Sequence, residues 1–142
     1  MRFSTSTKIH APVPGVWSIL TDLPSWPVWN STVVAVEGAV ALGQKVKVTV
    51  TANPKRAFPV TVSTLEFPSR MVWTGGMPLG LFTGTRTFTL SETAEGTDFS
   101  MEEVYSGPLA SMVTRSIPDL APSFEEFARC LKTAAEASAV SS

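Results

Sequence analysis

Cysteine and histidine occur once each in this chain, as Cys130 and His10. An intramolecular disulfide is therefore impossible, and neither a thiol-ligated zinc, a histidine-rich metal site nor a Cys/His dyad can be assembled. We expect no metal, no cofactor and no catalytic set of ordinary kind. Charge is scarce too: 16% of the 142 residues are charged, with a net charge of −1. No Lys/Arg stripe is interleaved with aromatics, so no nucleic-acid partner is expected. No apolar run is long enough to span a membrane, and Met1–Ser6 lacks the apolar core of a signal peptide. The expectation is a soluble cytoplasmic protein, monomer or weak homodimer.

What is plentiful is hydrophobic surface, 44% of residues, more than a small core needs. Residues 1–142 read as a single domain. Arg2 to Ile9 alternates as a first strand. Pro12 or Pro14 suits the first turn of a short helix ending near Asp22, with Val16, Trp17, Ile19 and Leu20 on its apolar face. A second short helix follows, capped by Ser25, with Trp26 and Trp29 turned inward. From there the period is two. Strands are expected at Thr32–Glu37, Gln44–Thr51, Phe58–Phe67, Arg70–Gly75, Leu81–Ser91 and Thr97–Tyr105, separated by short turns. Such links favour an antiparallel meander. Leu120, Phe124, Phe127, Leu131 and Ala134 or Ala135 then form one face of a long helix. A break is expected between Leu109–Ser116 and that helix, near Pro118 and Pro122. Ala135–Ser142 should fray, having little to bury.

The last two strands carry the sharpest inference. Phe82, Gly84, Arg86, Phe88 and Leu90 share one face, opposite a row of threonines. Pairing around the Thr93–Gly96 turn sets Leu90 against Phe99, Phe88 against Met101 and Arg86 against Glu103, all facing the C-terminal helix; a register shifted by two residues would keep the face and separate the charged pair. Two opposite charges thus meet among apolar neighbours. They read either as a polar anchor of a pocket or as a cross-strand ion pair that satisfies only itself. Tyr105 lies on the same face, as a ligand-orienting hydroxyl or a core tyrosine with a backbone partner. Trp73 shares the face of Met71 and packs inside, while Trp17, Trp26 and Trp29 are expected to close the end near the short helices. His10 reads as a solvated loop residue and Cys130 as helix packing. The Gly75–Gly80 loop lacks the Lys-Ser/Thr of a phosphate loop; it and Asn53–Arg56 read as pocket rims or plain turns.

Ile9–Asp22, followed by Trp26-Pro27-Val28-Trp29-Asn30, resembles the opening of polyketide cyclase/dehydrase-like members of the START/Bet v 1-like (SRPBCC) superfamily. Gly84–Leu90 and Gly96 through Gly107 resemble that family's last two strands, and the likeness runs from about Phe3 to Ala137. The resemblance implies an α+β helix-grip fold, in which a seven-stranded antiparallel sheet wraps a long C-terminal helix, with two short helices after the first strand. It also implies a hydrophobic cavity. Members bind lipids, sterols, polyketides or plant hormones, and some are aromatase/cyclases. They share no universal catalytic set, so no catalytic residue is carried over.

The reading that follows is a binding module for a hydrophobic small molecule or lipid. Its pocket would be lined by Trp73, Phe82, Arg86, Phe88, Leu90, Phe99, Met101, Glu103, Tyr105, Phe124, Phe127 and Leu131. A well-packed interior with no cavity above about 300 Å3 would count strongly against this reading. The alternative is an aromatase/cyclase-like enzyme that works by orienting its substrate, with Arg86, Glu103 and Tyr105 as the polar group. A third reading, an interaction protein using the helix break or the sheet edge, sits poorly with the threonine rows.

Overall fold

The computed structural model describes residues 1–115 and 119–141. Its strands are β1 (Arg2–Ile9), β2 (Val33–Glu37), β3 (Lys45–Val50), β4 (Asn53–Glu66), β5 (Arg70–Gly76), β6 (Thr83–Thr93) and β7 (Gly96–Ser106). The helices are α1 (Val13–Thr21), α2 (Trp26–Trp29), α3 (Ala110–Thr114) and α4 (Ala121–Ser141). One seven-stranded sheet runs in the order β1-β7-β6-β5-β4-β3-β2, antiparallel throughout. It is a six-stranded meander to which β1 is added on the far side of β7. The inner face closes on α4, and the whole is a helix-grip fold.

The register of the β6–β7 hairpin follows the alternation read from sequence: Arg86 faces Glu103, Phe88 faces Met101 and Leu90 faces Phe99. Gly96, at φ +145°, starts β7; a Cβ there would lie 2.3 Å from the Ile9 carbonyl oxygen, so only glycine fits. Helix α4 runs in the same direction as β1. Near its start Phe124 lies 5.8 Å from the Phe3 ring, and near its end Glu136 accepts the His10 backbone N–H at 2.9 Å. One end of the sheet therefore gathers the β3–β4 turn, the β5–β6 loop, the end of β7 and the first turn of α4.

Several boundaries differ from expectation, each for a physical reason. Strand β4 begins at Asn53, not Phe58. Over Asn53–Val60 it has only β3 beside it in the ladder, and a one-sided strand tolerates Pro54 and Pro59. Strand β6 begins at Thr83 because Pro78–Gly80 turns as a 3-10 helix, and it runs on to Thr93, which pairs with Gly96. Thr32 stays outside β2 because its hydroxyl and N–H both donate to the Asn30 side-chain oxygen. Ser25 makes no side-chain cap; its hydroxyl donates to the Asp22 carbonyl and accepts the Trp29 indole N–H. A 3-10 turn at Leu23–Ser25 feeds directly into α2 and leaves no extended residue to cap it.

Helices α3 and α4 are separate, as the prolines imply; of the expected Leu109–Ser116 segment, Ser116 lies outside the described residues, as does Pro118. Pro122 occupies the first turn of α4, where no N–H is needed. The expected fraying from Ala135 does not occur, and α4 continues to Ser141. Ala135 is buried and Ala139 packs on the core. Small side chains contribute little area, but they let the helix approach β1 and α1 closely. Ser142 lies outside the described residues.

Candidate functional site

The interior is far more filled than the sequence led us to expect. Trp26 does not merely close one end: it is fully buried. Its ring stacks on Trp73 at 5.4 Å and meets Phe127 edge-on at 5.3 Å. Its indole N–H donates to the Leu20 carbonyl at 3.0 Å, which anchors the ring from α1. Trp29 is only half-buried, and Trp17 packs edge-on against Phe67. Phe88, Leu90, Phe99 and Leu131 are buried with Trp26 and Trp73 in one continuous core.

What remains open between sheet and helix is a cavity of about 70 Å3, lined by Thr32, Val50, Ala52, Arg86, Met101, Leu120, Ser123, Phe124 and Phe127. That is well below the volume of a drug-sized ligand pocket, about 300 Å3 or more, and it counts against a preformed cavity of the size the sequence led us to expect. It lies toward the end of the sheet that holds the β3–β4 turn and the start of α4. Four of the residues expected to line a pocket, Arg86, Met101, Phe124 and Phe127, meet here. Leu120 and Ser123 join them because the helical period puts 120, 123, 124 and 127 on one face, a signal that was available in the spacing. Nothing local in the sequence marks Thr32 or Ala52.

A larger hollow, about 410 Å3, lies outside the sheet between the β1–α1 junction and the β6–β7 turn. Its walls are His10, Ala11 to Pro14 and Glu92 to Gly96. It is open to solvent and walled largely by backbone and small side chains, so the smaller inner cavity is the better candidate site.

Arg86 of β6 is the charged residue in the wall of that cavity, and β7 supplies its partner behind it. Arg86 Nη2 donates to Glu103 Oε2 at 3.0 Å, and the Tyr105 hydroxyl donates to the same oxygen at 2.9 Å. The tyrosine thus finds a carboxylate rather than a backbone partner. The Arg86 and Glu103 side chains are 20% and 16% exposed, so the pair is mostly shielded. The guanidinium also lies over the Phe124 ring, 4.9 Å from its centre. Phe82 stacks on Tyr105 at 5.5 Å, with Phe3 edge-on to the same ring at 6.3 Å. Burial, and then the Glu103 carboxylate, push the Tyr105 hydroxyl well above its ordinary value of 10.0. It remains a neutral donor.

Two buried N–H groups on this face have no hydrogen-bond partner in the protein: Arg86 Nε and Trp73 Nε1. The two residues are directly opposite on β6 and β5, so their side chains are cross-strand neighbours. Each such donor costs about 1–3 kcal/mol if it stays unpaired. Elsewhere, Cys130 is buried in α4 with its sulfur 3.5 Å from the Ser31 hydroxyl, and His10 is exposed. Among the described residues no group of His, Cys, Asp or Glu could hold a metal ion. None of the described helices is long and apolar enough to cross a membrane.

A family model described as "Polyketide cyclase / dehydrase and lipid transport" matches residues 1–136. A relative from Penicillium oxalicum, the oxopyrrolidines biosynthesis cluster protein O, is 28% identical over 66% of this chain and 61% of its own length. The match thus spans about three fifths of that relative. Solved structures share the fold at low identity. A Mesorhizobium loti protein, MLL2253, is 17% identical with a TM-score of 0.72, covering 94% of this chain and 95% of its own. DynU16, described as a putative protein in the dynemicin biosynthetic locus, is 20% identical with a TM-score of 0.71, covering 97% of this chain and 48% of its own. Hypothetical protein jhp0584 from Helicobacter pylori is 12% identical with a TM-score of 0.76, covering 95% of this chain and 88% of its own.

Proposed function

Because the chain belongs to the polyketide cyclase / dehydrase and lipid transport family, we propose that it binds a hydrophobic small molecule or lipid between the sheet and α4, with an oxygen of that ligand on Arg86. The observation that carries this is the pair of buried, partnerless N–H donors on Arg86 and Trp73, one of them on the cavity wall. Buried donors are almost always paired, and an orphan calls for an explanation. A ligand oxygen supplies one. Because Glu103 already neutralises Arg86, the site offers a donor with no net positive charge. It suits a ketone, ester or amide oxygen better than a carboxylate, which would face Glu103.

A cavity of about 70 Å3 holds only the polar end of such a molecule. Its apolar remainder needs room made by movement of Phe124 and Leu120, which line the cavity together with Val50 and Ala52. Native mass spectrometry of freshly purified protein, and saturable displacement of a hydrophobic fluorescent probe, test this reading. Binding should be lost in Phe88→Asp and weakened in Arg86→Met. A protein that purifies empty and takes up neither probe nor neutral ketones overturns it.

A second reading is a cyclase-like enzyme, favoured by the two relatives named for biosynthetic clusters. Holding a reactive polyketone in a folded shape supplies rate by orientation, and an Arg86 N–H on a carbonyl oxygen would polarise that carbonyl. Arg86→Met or Glu103→Gln should then abolish turnover of a polyketone while the fold survives. Equal loss of stability and activity would assign the pair a structural role instead.

A further inference from the structure

The end of the sheet toward which the cavity lies carries an apolar rim turned to solvent. Leu79 is 96% exposed, Met112 59%, Met77 45% and Leu81 40%. Leu79 also sits at φ +62°, in the left-handed region where asparagine or glycine would be at ease. A leucine at the tip of a loop is disfavoured there by its backbone and by water alike. The rim is one unit, because the Leu109 N–H at the start of α3 donates to the Leu81 carbonyl at 2.9 Å.

Cations surround these tips. Lys55 and Arg56 are exposed at the protruding start of β4, and Arg115 is exposed at the end of α3. Of the nearby carboxylates, Glu102 is paired with Arg2 and Glu103 with Arg86, while Asp119 accepts the Ala121 N–H and keeps its charge. Further along α4, Glu126 is paired with Arg129, and Glu125 accepts from the Thr5 hydroxyl and keeps its charge. In a chain of net charge −1, three cations with no carboxylate partner among the described residues, Lys55, Arg56 and Arg115, thus stand at the end that carries the apolar tip, against two carboxylates without an ion-pair partner, Asp119 and Glu125. That arrangement matches acyl chains beneath anionic headgroups.

We propose that this rim docks on an anionic lipid bilayer. Leu79, Leu81, Met77 and Met112 enter the headgroup layer, and Lys55, Arg56 and Arg115 meet the lipid phosphates. The cavity then faces the membrane, and an apolar ligand passes between bilayer and pocket without crossing water. The docking goes beyond the pocket reading, on which only this last consequence rests.

The test is flotation of the full chain with vesicles of phosphatidylcholine alone and with about one third phosphatidylglycerol, at low and high salt. Binding should appear on the anionic vesicles and fade as salt rises. Leu79→Asn, whose side chain tolerates the local backbone and touches nothing buried, should lower partitioning about tenfold. Lys55→Gln with Arg56→Gln should lower it about tenfold or more. Both variants should take up a neutral ketone probe from solution as the unaltered chain does, so failure of the pocket and failure of docking are read separately. Absence of vesicle binding overturns the proposal, as does binding that ignores Leu79→Asn or does not depend on lipid charge. A dimer in light scattering that Leu79→Asn dissociates, with no vesicle binding, would assign the rim to a second copy and also overturn it.

Discussion

Tyr105 is the single tyrosine of the chain, so the inner polar cluster can be watched directly. Its hydroxyl is held above its ordinary value of 10.0, by burial first and Glu103 second. The folded state therefore keeps its proton after an unfolded chain would lose it. That contribution to stability is fully present below pH 10 and is lost as pH rises through the folded value. Absorbance at 295 nm should accordingly show no phenolate near pH 10 in the native protein and a normal titration in urea. A native titration near 10 would mean the ring is solvated. The Arg86–Glu103 pair gives a second residue-level prediction. Its partial exposure places the cost of Glu103→Gln below that of a fully buried pair, at about 2 kcal/mol by urea denaturation. Combining it with Arg86→Met should recover part of that loss, since no charge is then stranded.

Among the elements, α2 matters out of proportion to its four residues. It delivers Trp26 into the space where a ligand body would sit. Trp26→Ala should cost about 3–5 kcal/mol in denaturation, while Val28→Ala on the same short helix should fall within about 0.5 kcal/mol. If Trp26 were a mobile plug rather than core, its loss would be nearly neutral. The β6–β7 turn is similarly intolerant: Gly96→Ala puts a Cβ against the Ile9 carbonyl and should cost more than about 1 kcal/mol. These two elements also mark what the sequence could tell. The buried face of the hairpin was legible because a slip of one residue would put Phe88 and Met101 in water; a slip of two keeps that face, so the pairing of Arg86 with Glu103 rested on where the turn falls. The role of Trp26 was not legible. A short segment bounded by prolines has no period, and which way one tryptophan turns is decided by Trp73 and Phe127, distant in the chain.

At the scale of the molecule, the same contrast separates fold from site. The layers follow from pattern and were available from residues alone. The size of the cavity was not, because it is the small difference between a large enclosed space and the side chains filling it. Ala52, Ser123 and Thr32 enter the lining through tertiary placement that no local signal carries. The two ends of the sheet differ as well. One has the close turn at Gly96 and the tie between Glu136 and His10, while the other has the exposed β4 start and the Leu79 loop. Amide exchange should therefore be slow in Phe99 and Met101 and fast in residues 53–57 and 77–81. Uniform protection across both ends would argue against an opening mouth.

The pairing of β1 with β7 has a consequence for how the protein is made. Arg2 faces Val104, so β1 leaves the ribosome about a hundred residues before its partner, a delay of about 5–20 seconds at ordinary elongation rates. Until then Phe3 and Ile9, which later pack beneath α4, have nothing to cover them. The nascent chain thus leaves these side chains uncovered through most of its synthesis, and slowing translation should lower its soluble yield rather than raise it.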